Sequence, residues 1–435
     1  MSKTFRPYQP DQRLLLPPGL DELLPEGDLA YFIRDTVAEL DLRPIQAAYA
    51  EERGQPPFHP TMMTALLLYA YCRGTYSSRK IAQACERDMG FIVVAALARP
   101  DFHTVARFRA RHLAALSDLF LNVLRLCRRA GLVQLGHVAL DGTKIKANAS
   151  RHKAMSYERM AEAEATLAAQ VKEWFAQARA QDREEDRRHG SGRRGDELPA
   201  HVRTKQRRLK AIREAKAALE AEASERAKAE GGPKSGGGTP VDPKAQRNFT
   251  DPDAKIMKDS ASGAFVAGYN AQLAVDAASQ VIVAKDLTMR PTDVQELPAM
   301  LAQVRRNSGR QARECSADAG YCSERNLADL ARRRIRAYVA VGKDRHGSAP
   351  GQSPRPMRGP RRRAMATRLR RGGWRSRYRL RKQTVEPVFG QIKGARGFRQ
   401  FLLRGAEKVG GEWSLVCIAH NLLKLFHAPR VVPAS

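Results

Sequence analysis

Acidic side chains are scarce in this sequence. Only 46 Asp and Glu stand against 76 Lys and Arg, a formal charge of +30. A surplus of that size calls for a polyanionic partner. Nucleic acid is the first candidate, because neutralising phosphates releases condensed counterions; a membrane surface is the second. Long apolar runs are missing as well. No stretch of about 18 apolar residues occurs, so no membrane span is expected. The opening MSKTFRPYQPDQRLLLPPGL has neither the apolar core nor the cleavage site of a secretory signal, and a cytoplasmic protein is expected. Cysteine is sparse: Cys72, Cys85, Cys127, Cys315, Cys322 and Cys417 form no C-x-x-C pair and have no His cluster beside them. This argues against zinc or a disulfide framework and for reduced, buried thiols.

What is present is ample hydrophobic material, 43% of 435 residues, enough for two or three domains with ordinary cores. Residues 1–130 read as an all-α domain. Pro60 to Cys72 forms an apolar helix with Met62, Met63, Leu66, Leu67 and Tyr71 on its buried side, broken by Gly74. Ser77 or Ser78 caps a second helix through Cys85. Asp101 and Thr104 open a longer one, with Val105, Phe108, Leu113, Leu116, Phe120 and Leu124 at helical spacing. Arg107, Arg109 and Arg111 on that helix suggest a helix-turn-helix entering a DNA major groove. A plain helical bundle with a solvated basic face accounts for the same pattern.

A strand at His137 to Leu140 ends on Asp141. Ser156 to Glu230, rich in Ala, Glu, Lys and Arg, reads as two long helices broken near Gly190 to Gly195. GGPKSGGGTP, residues 231–240, reads as a flexible linker. The period then changes to two. Phe265 to Val275 and Gln280 to Leu287 look like paired strands joined at Ala277 to Ser279. A helix at Val294 to Arg306, a short strand ending before Asp318, a helix at Glu324 to Arg333 and a strand at Ala337 to Val341 follow. The fold class expected is α/β, a mixed sheet flanked by helices, with the helical N-terminal domain and a helical insertion at 151–230. The sheet domain takes 131–150 and 241–428. Residues 342–377 show no clear period, and a last helical part runs from Thr384 to Phe426.

Three carboxylates stand out. Asp141 ends a strand in VALDGTKIKANAS, and Asp318 ends another in CSADAGYCS; α/β folds place their sites at such strand ends. Glu386 lies in TVEPVFGQIK, read as a helix with Pro387 in its first turn. Three carboxylates from distant elements can converge on Mg²⁺, or Mn²⁺, which prefers oxygen ligands. Two such ions bracket an in-line phosphoryl displacement without a protein nucleophile. Lys393 follows Glu386 by seven residues, near the same helix face, and Tyr378, Arg381 and Lys382 precede it. A cation beside a metal-bound carboxylate can grip a phosphate; Tyr378 can stack on a flipped base or donate to a phosphate. Between Arg355 and Arg404 there are seventeen Lys and Arg and one acid, Glu386. A lone carboxylate in so basic a stretch fits a metal ligand inside a phosphate-binding channel.

With these residues in place, the chain resembles the bacterial insertion-sequence transposases that use an Asp-Asp-Glu triad on a ribonuclease H-like fold. The resemblance covers nearly the whole chain. It runs through HPTMMTALLLYAYCRGTYSSRKIAQAC, RPDFHTVARFRARH, ALDGTKIKANAS, NFTDPDAKIMK, GYNAQLAVD, ADAGYCS, TVEPVFGQIKGARGFRQFLLRG and GEWSLVCIAHNLLKL. It implies Asp141, Asp318 and Glu386 as catalytic, metal-binding residues, and a Tyr-Arg-Glu-Lys signature filled by Tyr378, Arg381, Glu386 and Lys393. The Arg-to-Glu gap is one residue longer than usual, which leaves Arg381 and Lys382 as alternatives for the arginine. Arg396 joins the expected DNA contacts. The implied partner is double-stranded DNA, terminal inverted repeats and target, bound by a homodimer at the nucleoid. A DNA-binding protein without catalysis and a nuclease without strand transfer are the alternatives. Residues 351–377 depart from the family pattern; they read as a mobile DNA-binding loop or a degraded stretch.

Overall fold

The computed structural model describes residues 19–49, 57–189, 200–229, 241–259, 263–342 and 359–429. The expected linker at 231–240 and residues 351–358 of the atypical stretch lie outside them. Among the described residues seven helices come first: α1 (Leu29–Ala38), α2 (Arg43–Gln46), α3 (Pro60–Cys72), α4 (Ser78–Arg87), α5 (Met89–Val94), α6 (Phe102–Arg111) and α7 (Leu113–Arg129). α3 is not one-sided as its sequence suggested. Every residue from Met63 to Cys72 is buried, as befits a helix that is apolar all round. The long helix expected from Asp101 is two, because His112 leaves helical geometry (φ −108°, ψ 14°) and its Nε2 lies 3.0 Å from the Tyr49 hydroxyl.

The sheet begins at β1 (His137–Lys146). A small ribbon, β2 (Ala154–Ser156) with β3 (Gln246–Asn248), brackets two long helices, α8 (Tyr157–His189) and α9 (Ala200–Ala229). Met160, Ile212, Ala215 and Leu219 give this pair a hydrophobic cluster separate from the main core. There follow β4 (Lys255–Lys258), β5 (Phe265–Asp276), β6 (Ile282–Thr288), α10 (Glu296–Ser308), β7 (Glu314–Ala317), α11 (Glu324–Arg332) and β8 (Arg336–Val339). The chain closes with α12 (Pro360–Gly372), α13 (Leu380–Gly390) and α14 (Ala406–Phe426).

β5 is the hub. β1 pairs antiparallel along one edge of it, and β4 and β6 pair antiparallel along the other. β7 then pairs parallel with β1, and β8 parallel with β7. The sheet is therefore mixed, with six strands. β4 shows no period of its own, since its four residues are too few; only the resemblance carried by NFTDPDAKIMK marks this segment. α14 lies between α7, α3 and β6, and from Gly411 to Leu422 every residue is buried. Asn421 on this helix accepts the Ile282 N–H at 2.8 Å and donates to the Ile282 carbonyl at 2.9 Å. A side-chain amide thus satisfies both backbone groups that the edge strand leaves open. One continuous core joins the N-terminal helices to the sheet. Among the described residues no helix is long and apolar enough to cross a membrane.

Two local expectations are corrected. β1 does not end at Asp141. It continues to Lys146 because its pairing with β5 runs on to Lys146↔Gly268, whereas its parallel partner β7 stops at Ala317. Pro387 is not in the first turn of its helix: α13 starts at Leu380 and holds Pro387 in its interior. A proline there lacks the N–H that residue 383 would receive. The freed Gln383 carbonyl accepts Gln280 Nε2 at 2.9 Å instead, so the break in the ladder is repaired from β6's entry turn. α13 runs on into a π-helical turn, Gln391–Ala395.

Candidate active site

The parallel register brings the two aspartates together. Leu140 and Ala317 are the last paired residues of β1 and β7, so Asp141 and Asp318 follow them on neighbouring strands. Asp141 Oδ1 accepts its neighbour's Gly142 N–H at 2.9 Å. Asp318 caps the short turn Ala319–Tyr321 by accepting the Gly320 N–H at 2.9 Å. α13 packs on β1 and carries Glu386. One guanidinium links the two elements: Arg381 Nη1 lies 2.6 Å from Asp141 Oδ2, and its Nη2 lies 2.8 Å from Glu386 Oε1. Of the two cations left open by the sequence, Arg381 is the one at the acids; Lys382 is exposed beside it.

Burial sets the electrostatics. Desolvation pushes the Asp141 carboxyl up to about 7, against the pull of Arg381 and with a further push from Asp318 and Glu386. Desolvation likewise raises Asp318, helped by a carboxylate the sequence did not single out, Asp293. Crowded, dehydrated carboxylates of this kind favour either a proton or a cation between them. Arg381 is that cation here. Among the described residues no three His, Cys, Asp or Glu side chains are gathered tightly enough to hold an ion as they stand.

Asp293 sits in the loop between β6 and α10. Its Oδ1 accepts Asn270 Nδ2 at 2.6 Å and Gln272 Nε2 at 2.7 Å, and Lys144 Nζ lies 3.5 Å away. Asn270 and Gln272 stand on β5 opposite Lys144 and Gly142 of β1, so their side chains share a sheet face. Tyr321, from the turn that Asp318 caps, donates to Gln272 Oε1. A Cβ on Gly320 would lie 3.0 Å from Asp318 Oδ1 and 3.2 Å from Asp293 Oδ2. The glycine is what lets these two carboxylates approach. Burial lowers the Lys144 ammonium's pKa, opposed by Asp293.

The remaining expected DNA contacts divide. Lys393, in the π-helical turn, donates to Thr143 Oγ1 at 2.6 Å and to the Lys144 carbonyl at 2.8 Å, so it grips β1. The Tyr378 ring centroid is 6.0 Å from Arg381 Cζ, and the neighbouring Arg377 pairs with Glu314 of β7. Arg396 turns inward: its Nη2 is 3.4 Å from His420 Nδ1 of α14, and its carbonyl accepts the Tyr76 hydroxyl. Arg396 thus links the N-terminal helices, through its backbone carbonyl, to α14, through its guanidinium. Arg109 is corrected. It is 6% exposed and donates to the Tyr76 carbonyl and the Tyr71 and Ser78 hydroxyls. Residues two apart face opposite sides of a helix: Arg107 and Arg111 are exposed, whereas Arg109 shares the buried face with Val105.

A family model described as the transposase DDE domain matches residues 238–422, and one described as a transposase domain matches residues 18–111. The chain belongs to the DDE-type insertion-sequence transposases. The matched DDE segment contains Asp293, Asp318 and Glu386, while Asp141 lies upstream of it. In these transposases the process served is DNA transposition. No curated protein and no solved structure gives a significant match.

Proposed function

We propose that this transposase cuts the ends of its insertion sequence and joins them to target DNA at Asp141, Asp318 and Glu386, on a ribonuclease H-like sheet. The observation that carries the reading is Arg381 bridging Asp141 and Glu386 beside Asp318. It marks a buried place where carboxylates already demand positive charge, at the start of a helix inside the most basic part of the chain. The strand order, with three antiparallel strands followed by two parallel ones, supports the fold assignment.

The donor set suits Mg²⁺ or Mn²⁺, since every candidate ligand is a hard carboxylate oxygen. When bound, such ions neutralise the phosphodiester and acidify the attacking hydroxyl. The chain's own residues do the rest. Arg381, whose fork fits a carboxylate, fits a phosphate equally well. Lys393 holds β1 at Thr143 and so fixes Asp141 two residues away. Tyr378, half-buried beside Arg381, and the exposed Lys382 are the groups that would meet entering DNA. A water oxygen attacks the phosphorus at the element's end, and the 3′-oxygen leaves as a hydroxyl. That hydroxyl attacks a target phosphodiester, whose own 3′-oxygen leaves in turn. The helices of residues 1–130, through Arg107 and Arg111, bind the terminal repeats; the sheet at 131–150 and 241–428 does the chemistry; and two protomers hold the two ends at the bacterial nucleoid.

The test is cleavage of labelled DNA carrying the inverted repeats that flank the gene, with and without Mg²⁺. Metal-dependent cuts at the repeat ends are expected, together with joined products when target DNA is added. Asp318→Ala should bind the ends and cut nothing; normal cutting by that variant overturns the reading.

A further inference from the structure

Residues 360–372 belong to the stretch that the sequence leaves as a loop or a degraded segment. They form α12, which packs against α11 and β8 through Met365, Ala366 and Leu369. Its position is pinned at the start. Glu324 of α11 accepts the Arg361 N–H at 3.2 Å and the Arg362 N–H at 2.8 Å. Arg368, farther along, donates to the Ala337 carbonyl of β8 at 3.2 Å. This is a docked element with a defined outer face.

That outer face is made of arginine. Arg363, Arg370 and Arg371 are exposed, and among the described residues none of them has an acidic partner. The helix carries no acid at all. Arg361, Arg362 and Arg363 fill its first turn, where the positive end of the helix dipole repels cations. The Glu324 carboxylate answers that end and the dipole favours Arg370 and Arg371 in the last turn, but the three exposed guanidiniums still repel one another with no acid beside them. Such a surface is stable at its best when a polyanion lies on it. Arg363 and Arg370 are seven residues apart, hence about 10 Å along one side of the helix. That matches the rise of about three base pairs at ~3.4 Å each. Eight residues separate α12 from Arg381 at the acids.

We infer that α12 is a docking surface for the phosphate backbone of the DNA duplex whose end or target lies in the acidic site, with Arg363, Arg370 and Arg371 each on a phosphate. The inference rests on the function proposed above and names the track by which duplex leaves that site, across β8.

The experiment uses the full chain, with the triple variant Arg363→Gln/Arg370→Gln/Arg371→Gln. Affinity for a duplex carrying a terminal repeat is measured across a salt series, and thermal unfolding is followed in parallel. Each lost phosphate contact should flatten the slope of log affinity against log salt by about 1, up to about three in all. The folded protein should melt no lower than wild type, since only like charges are removed. The Arg→Lys triple variant keeps the charge and should keep the slope, which separates charge from any effect on folding. An unchanged slope in the Gln variant, with wild type binding and cutting, overturns this inference alone and assigns the face to another partner such as an acidic protein segment. Wild type that binds no duplex overturns both this inference and the proposed function.

Discussion

Asp293 fills the space in front of Gly142. A Cβ built on that glycine would stand 2.8 Å from Asp293 Oδ1 and closer still to Gln272 Nε2. The glycine that follows Asp141 is therefore a vacancy kept for a fourth carboxylate and its hydrogen-bonding partners. Gly142→Ala should destabilise the fold by about 1–3 kcal/mol, the usual penalty of overpacking, and should lower cleavage by displacing the residue next to Asp141. Denaturant unfolding of the single variant, Gln272→Ala and the double variant checks the assignment. The pair should couple, with the double variant less damaged than the sum; strict additivity counts against the contact.

Asp293 is also the ionic partner of Lys144, whose side chain is 10% exposed. Asp293→Ala leaves that ammonium buried without its counter-charge, which typically costs about 3–5 kcal/mol. Asp293→Asn keeps a carbonyl oxygen for Asn270 and Gln272 and should cost less. Equal denaturation midpoints for the two variants would show that charge, not the carbonyl oxygen kept by asparagine, is what Asp293 supplies.

Arg381 holds Asp141 and Glu386 with two different nitrogens. Arg381→Lys keeps the charge and loses the fork, so lysine should not rescue the loss seen in Arg381→Ala. Cleavage should fall roughly 10²-fold, as when one oriented donor to a reacting group is removed, while binding of repeat-containing duplex is largely kept. Single-turnover cleavage with saturating enzyme measures this directly; full activity in the lysine variant would mean that charge alone suffices.

The pH dependence of stability follows from Asp141. Its carboxyl, ordinarily near 3.8, is pushed up to about 7 by burial. A group raised in this way binds its proton more tightly in the folded state. Its stabilising contribution is complete below the unfolded value and is lost as pH rises through about 7. In the presence of a chelator the wild type should therefore lose stability relative to Asp141→Asn across that interval. Parallel melting curves for the two proteins over the same pH range would remove Asp141 as the cause.

Much of this layout is legible in the chain because periodicity reports burial. β7 with Asp318 behind it, and the order of strands and helices around it, follow from apolar alternation. Arg109 misleads because a row of alternating arginines looks like one basic face, yet on a helix its middle member turns inward with Val105. The apolar trio Met365, Ala366 and Leu369 was available as a sign of α12, but the arginines around it hide so short a stripe. Pro387 misleads because its usual place is a first turn; its tolerance here depends on Gln280, more than a hundred residues away, which no local reading supplies. Asp293 gives no local signal at all. Just before a helix it looks like a cap, and only the pairing of β1 with β5 reveals what it meets.

The ribbon of β2 and β3 sets Ala154 beside Asn248, so the chain leaves for the helical pair and returns at nearly the same point. The pair also keeps its own small hydrophobic cluster. Together these make α8 and α9 a detachable module: a short hairpin turn across the ribbon would close the gap without disturbing the register that aligns Asp141 with Asp318. Descent can lengthen, exchange or discard such a piece while the catalytic strands stay as they are, which leaves it free to diverge at a pace of its own.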